Sequence, residues 1–262
     1  MNLDLTDKYA IVCGSTQGLG FASAIELALL GANITLVARN EEKLKEAVKK
    51  LDTTLQQKHN YFVADFQFPD QVKTAIENHL AKHSTVNILV NNTGGPKGGT
   101  AFNAGTEEYL QAFNSHLICN QILVQAVVPA MRSSGYGRII NIISTSVKQP
   151  IQGLGVSNTI RGAVASWSKT LATELGEFGI TVNNVLPGYT RTSRYDYVVQ
   201  NKINATGNSA DEVEKELVSD IPLKRIGLPE EFGAAVAFLC SPAAAYINGI
   251  NLPVDGGRLQ TL

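Results

Sequence analysis

One stretch constrains this chain more than any other: Ala10-Ile11-Val12-Cys13-Gly14-Ser15-Thr16-Gln17-Gly18-Leu19-Gly20. A short apolar run ends at a glycine, and two more glycines follow at the spacing G-x-x-x-G-x-G. Ala22, Ile25, Leu27, Ala28 and Leu29 then read as a helix. The pattern is strand, tight turn, helix N-terminus. Gly14 lets the chain reverse, Gly18 removes a Cβ so that the backbone can approach a pyrophosphate, and Gly20 lets the helix pack closely on the strand. The unpaired N–H groups and positive end of the helix favour a phosphate there. The expected cradle is Gly14, Ser15, Gln17, Gly18, Leu19 and Gly20.

Strand and helix patterns alternate along the rest of the chain. Strands are expected at 9–13, 33–37, 61–64, 87–90, 138–143, 181–186 and 251–254, mostly short and rich in Val and Ile. Asn40 suits the N-cap of a helix over 41–57, and Thr106 the cap of a long helix running to Arg132. Pro229 suits the first turn of a helix through Leu239, with Glu230 and Glu231 at its positive end. This alternation predicts an α/β fold of Rossmann type: a doubly wound, seven-stranded parallel sheet with helices on both faces. With 262 residues, 44% of them hydrophobic, and no linker-like stretch, the expectation is a single domain over 1–262.

Charge and cysteine content exclude several functions. A formal charge of −1 gives no reason to expect nucleic acid or an acidic membrane surface as partner. Cys13, Cys119 and Cys240 lie too far apart to suggest a metal or redox site. They are expected to be buried and reduced, which fits a cytoplasmic protein. The start of the chain has no signal-peptide pattern, and no run of apolar residues is long enough to span a membrane.

The second strand ends Leu36-Val37-Ala38-Arg39-Asn40. In dinucleotide folds a carboxylate at this place holds the adenosine ribose and selects NAD, whereas an arginine accommodates the 2′-phosphate of NADP. Arg39 after the small Ala38 therefore predicts NADP(H) in preference to NAD(H). Asp65, closing the third strand, is a candidate acceptor for the adenine amino group; its rival role is a helix cap near Pro69. The fourth strand leads into Asn91-Asn92-Thr93-Gly94-Gly95, small turn-forming residues that let backbone approach a ligand. Lys97, in the glycine-rich loop that follows, is a candidate contact for an anionic substrate, though a solvated loop lysine is the commoner case.

The chain resembles the short-chain dehydrogenase/reductase superfamily over essentially its full length, in particular the 3-oxoacyl-carrier-protein reductases. Cys13–Gly20 is similar to the family's Thr-Gly-x-x-x-Gly-x-Gly, and Asn91-Asn92-Thr93-Gly94 to its Asn-Asn-Ala-Gly. Pro187-Gly188 with Thr192 resembles the turn and threonine beside the nicotinamide, and Asp255-Gly256-Gly257 the motif after the last strand. The resemblance implies cofactor contacts at Asn91, Gly94, Arg161, Pro187, Gly188 and Thr192. It also implies a homotetramer or homodimer, and a small carbonyl or hydroxyl compound as substrate. The segment 191–221 sits where the family keeps its substrate lid.

The family's catalytic pattern is a Tyr-x-x-x-Lys pair, a serine about thirteen residues before the tyrosine, and an asparagine in the long preceding helix. Ser144 matches the serine, but Ser157 stands at the tyrosine position, Arg161 at the lysine position and His116 at the asparagine position. A serine hydroxyl titrates far above a phenol and is shorter by a whole ring. Arg161 stays charged and relays no proton, although it can bind ribose oxygens or a substrate anion. The family's proton-donor mechanism therefore cannot carry over intact. Histidine titrates near neutrality, so His116 is a candidate acid, with a helix histidine bonded to a nearby carbonyl as the plainer alternative. Tyr189, Tyr195, Tyr197 and water are the other candidate donors. Two functions follow: an NADP(H)-dependent carbonyl reductase with an atypical active site, or a cofactor-binding protein of the same fold without redox turnover. Different chemistry on this scaffold, such as halohydrin dehalogenation, ranks lowest because the glycines are kept and the tyrosine is not.

Overall fold

The computed structural model describes residues 1–261. Its seven strands are β1 (Tyr9–Cys13), β2 (Asn33–Ala38), β3 (Asn60–Val63), β4 (Ile88–Asn91), β5 (Gly137–Ile142), β6 (Ile180–Pro187) and β7 (Asn251–Val254). They form one all-parallel sheet in the order β3-β2-β1-β4-β5-β6-β7. All seven expected strands are present. The winding reverses between β1 and β4, which opens a crevice at the carboxyl ends of the strands.

The helices are α1 (Gly18–Leu29), α2 (Glu41–Val48), α3 (Pro69–Leu80), α4 (Thr106–Phe113), α5 (Cys119–Ser134), α6 (Gly155–Leu175), α7 (Ser193–Thr206), α8 (Ala210–Ser219) and α9 (Pro229–Cys240). On one face of the sheet Leu27, Leu44 and Phe232, from α1, α2 and α9, pack against Ile34 and Leu36. On the other, Ile76, Leu123 and Met131 from α3 and α5 pack with Ile11, Leu89 and Ile139. Cys13, Cys119 and Cys240 are free thiols buried in these two layers.

Three helix boundaries differ from expectation, each for a local reason. Asn40 does cap α2, accepting from Lys43 N at 2.9 Å, but the helix stops at Val48 rather than at 57. Asp52 accepts from Thr54 N at 3.0 Å and so closes a turn, and Gln56 takes a positive φ of 63°. The cap of α4 is Gly105, not Thr106; the Glu108 carboxylate accepts from Gly105 N at 3.0 Å and leaves Thr106 as the first helical residue. The long helix is interrupted by a π-helical turn over Asn114–Ile118, which carries His116. Insertions of this kind cluster at functional sites.

A chain of buried amides crosses the sheet near the crevice. Asn91, Asn141, Asn184 and Asn251 are register partners on β4, β5, β6 and β7. Asn91 Nδ2 donates to Asn141 Oδ1 at 2.9 Å, Asn141 Nδ2 to Asn184 Oδ1 at 3.1 Å, and Asn184 Nδ2 to Asn251 Oδ1 at 2.8 Å. The ladder leaves the Asn91 Oδ1 at its β4 end without a partner, and it penalises any slip in register.

Candidate functional site

The glycine turn is built as its spacing predicts. Gly14 and Gly18 have φ of +57° and +61°, conformations that disfavour a side chain. A Cβ on Gly20 would lie 2.5 Å from Gly14 O, so that glycine is required for the close approach of α1 to β1. Val37 N donates to Ser15 Oγ at 3.0 Å and ties the exits of β1 and β2 together. Asn92 Nδ2 donates to Gly14 O at 3.2 Å and fixes the turn from the β4 side.

The α1 N-terminus is the most informative feature of the crevice. Its N-cap, Gln17, makes no side-chain cap bond; its amide donates instead to Ser193 Oγ at 3.1 Å. The first-turn N–H groups of Gly18, Leu19 and Gly20 are thus left without a capping side chain, at the positive end of a helix of 12 residues. A Cβ on Gly18 would meet nothing closer than the Thr192 methyl, at 3.7 Å. Uncapped donors beside a glycine cradle fit a pyrophosphate group. Arg39 is exposed just beyond β2, and Asp65 is half-buried just beyond β3. Asp65 Oδ1 accepts from Gln67 N at 3.0 Å in a turn before α3, whose N-cap is Phe68. The capping role is therefore not Asp65's.

On the nicotinamide side of such a crevice, Pro187 ends β6 and Gly188 packs against Asp255, where a Cβ would come within 2.6 Å of the Asp255 Cα. Thr192 is the N-cap of α7, its hydroxyl accepting from Tyr195 N at 3.4 Å. The segment 191–221 carries α7 and α8, which share a small core of Tyr195, Val213, Leu217, Ile221 and Ile226.

Arg161, Thr93 and His116 converge at the ends of β4 and β5. Arg161 lies on α6, only 7% exposed, and its Nη1 donates to Ile142 O at 3.2 Å and its Nη2 to Thr93 O at 3.5 Å. Its Nε has no partner, and burial lowers its pKa to about 10. His116 Nδ1 and the Thr93 hydroxyl share a short hydrogen bond. Burial, and after it the charge of Arg161, lower the His116 pKa to about 2. His116 is therefore neutral at ordinary pH, which corrects the expectation of an acid titrating near neutrality; its partner is a hydroxyl and not a carbonyl. Thr93 escaped the sequence reading as a site residue, although it stands where the related motif has alanine.

Ser144 is half-buried, two residues beyond the carbonyl that Arg161 holds, and its Oγ accepts from Ser146 N at 3.1 Å. Its hydroxyl proton faces no acceptor in that bond. Ser157 lies one turn before Arg161 on the same face of α6. Two of the candidate tyrosines are placed poorly for proton donation. Tyr195 is buried in the lid core and donates to Glu214 Oε2 at 3.1 Å, and burial first, then that carboxylate, raise its pKa to about 12. Tyr197 is 55% exposed, with Arg194 over its ring at 5.2 Å. Tyr189 lies edge-on to Tyr195 and is covered by Arg258 at 4.6 Å. Lys97 is exposed in its loop.

Comparison with known proteins agrees with this architecture. The family described as enoyl-(acyl carrier protein) reductase matches residues 14–258. A 3-oxoacyl-(acyl-carrier-protein) reductase of Chlamydia muridarum is 30% identical over 257 residues, covering 98% of this chain and 99% of that protein. The NADPH-dependent reductase BacG of Bacillus subtilis is 28% identical, covering 98% of this chain and 100% of that protein. An L-sorbose reductase from Gluconobacter frateurii, solved with NADPH and L-sorbose, superposes with a TM-score of 0.94 at 32% identity, over 100% of both chains. The chain belongs to the short-chain dehydrogenase/reductase family.

Proposed function

We propose that this protein is an NADP(H)-dependent reductase of small carbonyl compounds that works without a phenolic proton donor. The observation that carries this reading is the uncapped α1 N-terminus beside Gly14, Gly18 and Gly20. The first-turn N–H groups would hold the pyrophosphate, Arg39 the 2′-phosphate, and Asp65 the adenine amino group. Asn91, Gly94, Pro187, Gly188 and Thr192 would frame the nicotinamide half. The cofactor, when bound, supplies the hydride.

The chain's own part is electrostatic. The Ser144 hydroxyl donates to the substrate oxygen, and the Arg161 guanidinium stabilises the negative charge that grows on that oxygen. Neutral His116 holds Thr93, and through the Thr93 carbonyl the position of Arg161. The proton comes from water. The same reading makes residues 1–262 one functional unit, cytoplasmic on the strength of its free buried cysteines, and a homotetramer or homodimer.

Calorimetric titration with NADPH and NADH side by side tests the cofactor assignment. NADPH is expected to bind about tenfold to a hundredfold more tightly, a preference that Arg39→Ala removes by weakening NADPH alone. Equal affinities, or no binding, would overturn it. Turnover is tested by NADPH consumption with a panel of ketones and 3-oxoacyl thioesters, where Ser144→Ala is expected to cost about a hundredfold in kcat. The replacement of three family residues by His116, Ser157 and Arg161 favours a second reading, in which the protein binds cofactor without turnover. Tight NADPH binding with no ketone reduced, and Ser144→Ala without effect, would establish that reading instead.

A further inference from the structure

The crevice contains a buried cation with no anion beside it. Arg161 is 7% exposed, its two Nη atoms rest on neutral carbonyl oxygens, and its Nε has no partner. Among the described residues, no carboxylate lies within ion-pair distance of it, whereas the exposed Arg191 and Arg225 each meet a glutamate. The other strongly buried arginine, Arg138, also rests on carbonyl oxygens with its Nε unpartnered, but it has the Tyr136 ring 4.1 Å from its guanidinium, a contact that Arg161 lacks. Removing a charge from water is costly unless a counter-charge or aligned dipoles replace the lost hydration. At Arg161 the two carbonyl dipoles do this only in part.

The residues around Arg161 are small: Ser157 on its own helix, and the exposed Gly94 and Gly95. Ser157, four residues before Arg161 on the same helix face, is shorter by a ring than the residue its family places there. Across the crevice, a Cβ built on Gly94 would meet nothing within 4 Å, and on Gly95 the nearest atom would be Arg161 Nη2 itself, at 4.0 Å. Arg161, which has carbonyl partners but no counter-ion, and Ser157 thus share one face of α6, and the Ile142 carbonyl that Arg161 holds lies two residues before Ser144.

We infer that the substrate is a 2-oxo acid, its carboxylate held by Arg161 and Ser157 and its ketone oxygen by Ser144; this rests on the reductase reading above. Carboxylate and ketone are adjacent in such a molecule, and Arg161 is anchored on the strand-end carbonyl of Ile142, two residues before Ser144. A bound reduced nicotinamide would supply a hydride to the ketone carbon; the C=O π electrons would move to oxygen, and water would protonate that oxygen and leave as hydroxide. The products are a 2-hydroxy acid and the oxidised cofactor.

Paired substrates test this: pyruvate and phenylglyoxylate against their methyl esters, with NADPH. The acids are expected to be favoured by about tenfold or more in kcat/KM. Arg161→Met should bring the acid-to-ester ratio to about one, and Arg161→Lys should keep acids ahead. Should Arg161→Met not fold, Ser157→Ala provides the second measurement, with a smaller fall in the same ratio. Oxamate, a carboxylate that is not reduced, should bind the NADPH complex of the wild type and not that of Arg161→Met. Esters reduced as well as acids, or a ratio that Arg161→Met leaves unchanged, overturn the inference while leaving the reductase reading intact. Oxamate binding that depends on Arg161, without turnover of any ketone, supports the anion subsite and overturns the reductase reading.

Discussion

Between about pH 6.5 and about pH 4.5 the folded protein is expected to lose on the order of 4 kcal/mol of stability through two buried histidines. Burial, and then the neighbouring His83, lower the His79 pKa from 6.5 to about 4. His116 is lowered from 6.5 to about 2 by burial and by Arg161. Both rings stay neutral in the folded state while the unfolded chain takes up protons below about pH 6.5. Protonation therefore favours unfolding, and stability falls as pH falls. Each histidine contributes about 1.4 kcal/mol per pH unit within its window. That window closes near pH 4 for His79 and near pH 2 for His116. Carboxylates act at lower pH: Glu231, held at about 2 by hydrogen bonds from Arg225 and Leu228 N, starts to count only below its ordinary value of 4.5. Urea unfolding midpoints measured across this range read the slope directly. His116→Asn, which restores the family's residue, should remove about half of it, whatever that variant does to stability at pH 7. A flat profile down to about pH 4.5 would show that the two rings are not neutral and buried together.

The parts of this protein that were legible in its sequence are those where one residue type has one mechanical job. A glycine at Gly14, Gly18 or Gly20 is specified by backbone geometry alone, and all three stand where the spacing predicts them. The inner strands were legible because strands covered on both faces are mostly apolar, and the partly exposed edge strands β3 and β7 because they keep short β-type runs between turns. The end of α2 was not legible, because Asp52 and Gln56 stop that helix by a turn that competes with a good helical pattern. The catalytic end of the crevice was only half legible. Ser144, Ser157, Arg161 and His116 could be placed by counting along motifs. Counting does not show burial, and burial is what makes His116 neutral and Arg161 a cation in want of a partner. Nor does it show the Thr93 hydroxyl reaching His116 from the loop after β4, since the two residues meet only through tertiary packing around the π-helical turn.

Returning a phenol to the vacated position is expected to raise turnover where Ser144, Arg161 and water now do the work. In Ser157→Tyr the ring would rise from α6 one turn before Arg161, whose fixed positive charge favours the phenolate and so lowers the phenol's pKa. A positioned general acid is worth about a hundredfold to ten-thousandfold in rate. The gain should appear in kcat for ketones without a carboxylate, because these lose nothing when the ring fills the space beside Arg161. For 2-oxo acids the same ring would occupy the place assigned to the carboxylate, so their kcat/KM should fall relative to the esters. The pH profile supplies a readout that mere repacking would not change: turnover should acquire a falling limb on the alkaline side, where the new phenol ionises, absent from the wild type. Adding Arg161→Lys should move that limb, since a compact ammonium and a planar guanidinium stabilise the phenolate unequally. If Ser157→Tyr folds and binds NADPH normally, yet shows neither a rise in kcat nor the alkaline limb, then position 157 does not face the reacting oxygen. The electrostatic account of catalysis would then have to be rebuilt around a different proton donor.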